Sequence, residues 1–230
     1  MKLKLSRNIP VFCLHDVSIN PIDKWTISAN QFEKFLRYLK KHDYRTIHAS
    51  KVTENNYTTK TVSITFDDGL SGLHKYALPL LVKYGFTATV FISTAYMNQM
   101  FDGDSESLTD AQIGELIEGG IEIGSHGHIH QNMRELSNKE QQLQLKQSKE
   151  ILEARFKVNV NTFAYPYGQY DQRLISSVID SGYRSAFSVF RGVRRLSHAT
   201  FVYDRLEISS SWHPFVHVEY WLKTSGWYLF

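Results

Sequence analysis

The stretch "VSITFDDGLSGLHKYALPLLVKYGFTATVFIS", residues 62–93, contains one complete strand–helix–strand unit. "VSITF" (62–66) is rich in β-branched residues, the pattern of a strand. A helix near 74–84 follows and stops at Gly85, and "ATVFIS" (88–93) extends again. Strands joined by helical segments in this way belong to parallel βαβ units. The first strand ends on two adjacent acids and a glycine, Asp67, Asp68 and Gly69. Neighbouring carboxylates repel, so the ending needs a reason.

The same alternation continues on both sides. Upstream, "VFCLH" (11–15) is a buried strand. "TISANQFEKFLRYLKKHDY" is a helix with Ser28 as N-cap, Gln31 three residues on, and Phe32, Phe35, Leu36 and Leu39 on one face. Downstream, Thr109 caps "DAQIGELIEGG", whose Ile113, Leu116 and Ile117 form a stripe, and "IEIGSH" (121–126) extends. A Ser137–Glu140 capping box opens the next helix. "NTFAYP" (161–166), a helix over 172–180, "SAFSVF" (185–190) and "RLEISS" (205–210) complete the series. About seven strands with no glycine-rich phosphate loop favour an α/β fold of the (β/α) barrel kind over a dinucleotide-binding sheet. The insert "AYMNQMFDGDSESL" (95–108) reads as a long surface loop.

With 230 residues, 42% of them apolar, the chain can bury a real core, and one domain over 1–230 is expected. Residues 211–230 read as a C-terminal helix and aromatic tail. Pro214 suits a first helical position, Phe215, Val218, Trp221 and Leu222 form a stripe, and Trp227, Tyr228 and Phe230 follow a glycine. Closing the barrel is the expected role of this tail, and contact with a membrane surface is the alternative. A balance of 26 basic against 23 acidic residues is too mild for a nucleic-acid partner. The one cysteine, Cys13, excludes an internal disulfide and a thiolate zinc cluster. No signal peptide and no run near 18 apolar residues is seen, so a cytoplasmic protein is expected, or an extracytoplasmic one if a leader has been removed.

In a βα barrel, chemistry gathers where strands end. His15 ends the first strand, and Asp67 and Asp68 end the second. His126, His128 and His130 follow "IEIGS", "YPYG" (165–168) follows "NTFA", and Arg205 opens the last strand. His126 and His130 are four apart and can share an ion if the segment coils as it leaves its strand. Two imidazoles and one carboxylate suit zinc or a similar divalent cation, which would cancel the repulsion between the aspartates. One aspartate would then be a ligand and the other a base. Taken singly, the acids could form a surface turn, each histidine could be structural, and Tyr165 and Tyr167 could simply pack. His128 stays open between a structural and a substrate-facing role.

"TFDDG" (65–69), "HGHIH" (126–130) and "FAYPYG" (163–168), in that order and after strands, resemble the polysaccharide deacetylases of carbohydrate esterase family 4. The likeness runs from residue 10 to about residue 210. "IPVFCLHDV" and "ISANQFEKFLRYLKKHDYRTI" are similar to the poly-N-acetylglucosamine deacetylase branch. The resemblance implies a distorted (β/α)7 TIM-like barrel in a single domain, and metal-dependent removal of an acetyl group from an N-acetylated sugar. It implies Asp67 as general base and Asp68, His126 and His130 as ligands of Zn2+, with Co2+ or Ni2+ possible. The backbone N–H of Tyr167 would hold the oxyanion. His15, in a front-placed "CLH", would be the general acid, with a raised pKa. The pattern is departed from twice: Gly127 stands where Ser or Thr is usual, and Ala164 stands where an arginine braces the base. Arg205 is the candidate to supply that charge. The alternatives are the same chemistry on peptidoglycan, a lipid-linked or nucleotide sugar or a small cyclic amide, and a carbohydrate-binding barrel with weakened catalysis.

Overall fold

Seven parallel strands close into a ring in the computed structural model, which describes residues 9–21, 23–54, 57, 60–101, 105–189 and 197–211. They are β1 (Val11–Leu14), β2 (Thr61–Phe66), β3 (Thr89–Ile92), β4 (Glu122–Ser125), β5 (Thr162–Ala164), β6 (Ser185–Val189) and β7 (Val202–Glu207). Each pairs with its sequence neighbours, and β1 pairs with β7 through Phe12↔Leu206 and Cys13↔Glu207 to seal the ring. The fold is the single-domain (β/α)7 barrel expected from the alternation. Its distortion is local. One edge of β2 is shared, with the short strand Arg45–Ile47 pairing its first half and β3 its last two residues.

The helices form for the reasons their sequences give. α1 (Ala29–Lys41) opens with the reciprocal Ser28–Gln31 box and buries Phe32, Phe35, Leu36 and Leu39. α2 (Leu78–Tyr84) is preceded by a single π-helical turn, Leu73–Ala77, and ends at left-handed Gly85. α3 (Asp110–Glu118) and α4 (Asn138–Phe156) carry the Thr109–Gln112 and Ser137–Glu140 boxes, and α5 (Gln172–Asp180) is capped by Asp171. Edge-on ring pairs such as Phe12–Phe35 and Phe32–Phe66 lock α1 onto the barrel wall, with centroids 5.1 and 5.7 Å apart.

Strand alternation sends every second residue to the barrel axis. Val11, Phe91, Phe187 and Tyr203 fill its lower part. The layer above is polar: Thr65 on β2 and Arg205 on β7 touch there. Continuing the same period past the strand ends, Cys13 leads to His15 and Thr65 to Asp67.

Two expectations change. Segment 95–108 is no open loop: Met100–Phe101 pairs with Ser105–Glu106, Leu108 is buried, and Ser107 bridges Leu70. Burial of Leu108 draws the insert down over the strand ends. Arg205 lies inside β7, not at its opening, because the strand starts at Val202. The tail expected over 211–230 lies, except for Ser211, outside the described residues. Among the described residues no helix is long and apolar enough to cross a membrane.

Candidate active site

Asp67 extends β2 by one residue, its N–H donating to the carbonyl of Leu14 at 2.9 Å. That bond carries its side chain inward, onto Arg205. The guanidinium forks both carboxylate oxygens, Nη1 to Oδ1 at 2.6 Å and Nη2 to Oδ2 at 2.7 Å. Its other donors reach Thr65 Oγ1 and the carbonyl of Ser188, each at 3.1 Å. Arg205 is 0% exposed, so this is a buried pair that neither partner can leave cheaply. Burial alone would raise the Asp67 carboxyl, but the Arg205 charge overrides it and holds the group well below the usual carboxylate range. Cys13, which the sequence did not single out for the site, turns its thiol toward Asp67 Oδ2 at 3.4 Å.

Asp68 turns the other way because its backbone is left-handed, with φ +70°, and Gly69 follows at +81°. Asp tolerates that region better than most residues. Two left-handed residues in succession reverse the chain and aim the second carboxylate at the end of β4. There Asp68 Oδ1 lies 3.5 Å from His126 Nε2 and 3.4 Å from His130 Nε2. Tetrahedral bonds of about 2.0–2.2 Å to a shared ion would separate donor atoms by roughly 3.3–3.6 Å, so the three fit one divalent cation. The other ring nitrogen of His126, Nδ1, meets the carbonyl of Ala164 at 2.8 Å. This contact makes Nδ1 the protonated nitrogen and leaves Nε2 free as a ligand. Burial pushes His126 down to about 3, keeping it neutral.

The chain does not coil between the two histidines. It bends at Gly127, φ +85°, and brings the imidazole centroids to 5.1 Å. The glycine at 127 therefore has a local cause: a left-handed bend that Ser or Thr would resist. His128 points away, between Thr94 Oγ1 at 2.9 Å and Gln147 Nε2 at 3.2 Å, so it pins the bend to its neighbours.

A cleft of about 240 Å³ opens above these groups. His15, Asp67, Asp68, His126, His130 and Tyr167 all line it. A ring nitrogen of His15, the Cys13 sulfur and an Asp67 oxygen lie within 4.8 Å of one another. Loss of water around the His15 ring pushes it down to about 4, with Asp67 pulling the other way. The raised value expected for an acid is not found. Tyr167 sits in a left-handed turn, φ +58°, the residue 47% exposed and its ring 4.5 Å from that of His130. Two further aromatic residues join the cleft wall, Trp25 at 5.0 Å from His15 and Phe101 at 5.3 Å from His130. Neither was legible beforehand, since each lies in a connection and reaches the site only through folding.

A family model described as polysaccharide deacetylase matches residues 54–186. A poly-beta-1,6-N-acetyl-D-glucosamine N-deacetylase of Staphylococcus aureus (strain MRSA252) is 25% identical over 186 residues, covering 75% of this chain and 64% of that enzyme. Among solved structures, the Streptococcus pyogenes deacetylase PplD in complex with acetate superposes with a TM-score of 0.82 at 22% identity, covering 92% of this chain and 96% of that one. IcaB from Ammonifex degensii gives 0.76 at 22% identity, covering 96% and 97%. At such identities the two structures speak for the fold alone.

Proposed function

The chain belongs to the polysaccharide deacetylase family, and from that premise we propose that it is a metal-dependent hydrolase removing the N-acetyl group from an N-acetylated sugar of a polysaccharide or glycoconjugate. One observation carries the reading. Asp68, His126 and His130 converge at ligand spacing while Asp67, held by Arg205, stands beside them with Oδ2 4.0 Å from His126 Nε2.

When bound to those three residues, a divalent cation, zinc first with cobalt or nickel as alternatives, supplies Lewis acidity, polarising an amide carbonyl and acidifying a water. Asp67 accepts the proton that this water loses as the new C–O bond forms. The backbone N–H of Tyr167 donates to the oxygen that becomes negative, a contribution of about 3–4 kcal/mol where single donors have been removed elsewhere. His15 delivers a proton to the sugar nitrogen as the C–N bond breaks, releasing acetate and an amine. Since desolvation keeps His15 neutral at neutral pH, it can give only a proton that it has first received. Asp67 is the nearby source. An Asp67 oxygen lies within 4.8 Å of the His15 ring nitrogen, a span that one bridging water closes.

The test couples metal analysis to acetate release over a panel of N-acetylglucosamine oligomers. About one equivalent of divalent metal together with released acetate is expected. Stoichiometric metal with no acetate from any oligomer would overturn the reading.

A further inference from the structure

After Leu14 the chain passes through His15 directly into a short strand, Asp16–Ser18, which pairs in parallel with Thr26–Ser28. His15 is therefore the joint between two strands. β1 holds one side of it, and whatever seats Asp16 holds the other. What Asp16 meets is Gly72, the residue just before the π-helical turn Leu73–Ala77. A Cβ at Gly72 would stand 2.1 Å from Asp16 Oδ1, 2.8 Å from its Cγ and 2.2 Å from the carbonyl oxygen of Val17. Gly72 has an ordinary helical backbone, φ −62° and ψ −24°, so glycine is required there by space and not by conformation.

Asp16 Oδ1 is buried, and the backbone amides of Val17 and Gly72 are the donors that reach its carboxyl. Burying a carboxyl there costs free energy that its two amide contacts offset only in part. Burial pushes it up to about 6, while the amides of Val17 and Gly72 pull the other way. Gly72 itself lies four residues beyond Asp68, on the connection that carries the left-handed turn. The two halves of the proposed acid–base pair come from segments that pair as β1 and β2 as far as Leu14 and Phe66, and Asp16 against Gly72 ties them again beyond the strand ends.

We infer that Asp16 is a positioning residue: seated in the space that the missing side chain of Gly72 leaves, it docks the strand bearing His15 onto the connection bearing Asp67 and Asp68, and so sets the spacing of the proposed acid and base. The inference rests on the deacetylase reading for its consequence in catalysis, but its geometry can be tested without it.

The experiment compares Asp16→Ala, Asp16→Asn and Gly72→Ala in the zinc-loaded protein by acetate release, metal content and the 15N signals of the His15 imidazole, assigned with His15→Gln. Asn keeps the shape of the carboxyl and mimics its neutral form. Displacement of a reacting group by about 1 Å can lower a rate by about a hundredfold. Asp16→Ala and Gly72→Ala are accordingly expected to lose about tenfold or more in kcat, with KM within about threefold, metal retained and the His15 signals shifted. Asp16→Asn should stay within about threefold with the signals in place. The inference is overturned by wild-type kcat and signals in Asp16→Ala, by Asp16→Asn failing as badly as Asp16→Ala, or by activity falling only in step with lost metal. Should Gly72→Ala not fold, the Asp16 pair carries the test. If the wild-type protein releases no acetate, the deacetylase reading falls by itself and the His15 signals alone decide: shifts in Asp16→Ala with none in Asp16→Asn uphold the docking role, and unmoved signals in both reject it.

Discussion

Asp67 and Asp68 are adjacent in the chain and opposite in circumstance. A left-handed backbone at Asp68 separates their side chains, so one carboxylate meets a guanidinium and the other meets two imidazoles. Asp68→Asn, His126→Ala and His130→Ala are therefore each expected to lose bound metal on dialysis. Asp67→Asn should keep the metal and lose turnover, since it removes a proton acceptor and leaves the three donors intact. Metal analysis of the four variants decides, and equal loss in all four would contradict this division of roles. The acids also show how far a single residue could be read. That the pair would be one ligand and one base followed from charge repulsion beside a cation. Which was which came from family likeness, because adjacency cannot say where either side chain points.

At the level of elements, the bend between β4 and α4 joins the two histidines. Gly127 and Gly72 make a contrast. A Cβ at Gly127 would meet nothing closer than 3.7 Å, so its constraint is the backbone angle, whereas the constraint at Gly72 is space. Serine at 127 would hold a left-handed conformation at a cost of about 1–2 kcal/mol. Gly127→Ser is expected to lower the melting temperature by that measure and to weaken retention of metal against a chelator. An unchanged melt with unchanged retention would show that the bend does not need glycine. Helices α1, α3 and α4 were legible because a capping box and an apolar stripe are local signals. Segment 95–108 was not, because the pairing that holds Ser107 against Leu70 depends on a partner far along the chain.

On the scale of the whole molecule, the Arg205–Asp67 pair ties β7 to the end of β2 across the barrel. Both side chains are buried, and removing one leaves the other charged and unpaired. Arg205→Leu is expected to cost about 3–5 kcal/mol in denaturant unfolding of the metal-free protein. The sign of the pH dependence follows from Asp67. Its folded value lies below the unfolded one of about 3.9, so the pair's stabilisation is present above that pH and is lost as pH falls through the folded value. Arg205→Leu should flatten that acid limb. A loss below about 1 kcal/mol, or an acid limb as steep as in the parent, would contradict the pairing.

Periodicity, caps and the clustering of titratable residues after strands determined the strand–helix order, the barrel class and the face on which chemistry gathers. These are properties of neighbours in the chain, and neighbours are what a sequence states directly. Closure of β1 on β7 decided the rest. It brought Arg205 to an aspartate 138 positions away, while the pairing of β1 with β2 set His15 and Cys13 beside that aspartate and carried Asp16 to Gly72. A period of two tells which residues share a side of a strand. It does not tell which side will face the axis, nor which side chains will meet there, because those contacts arise only when the ring of strands has shut.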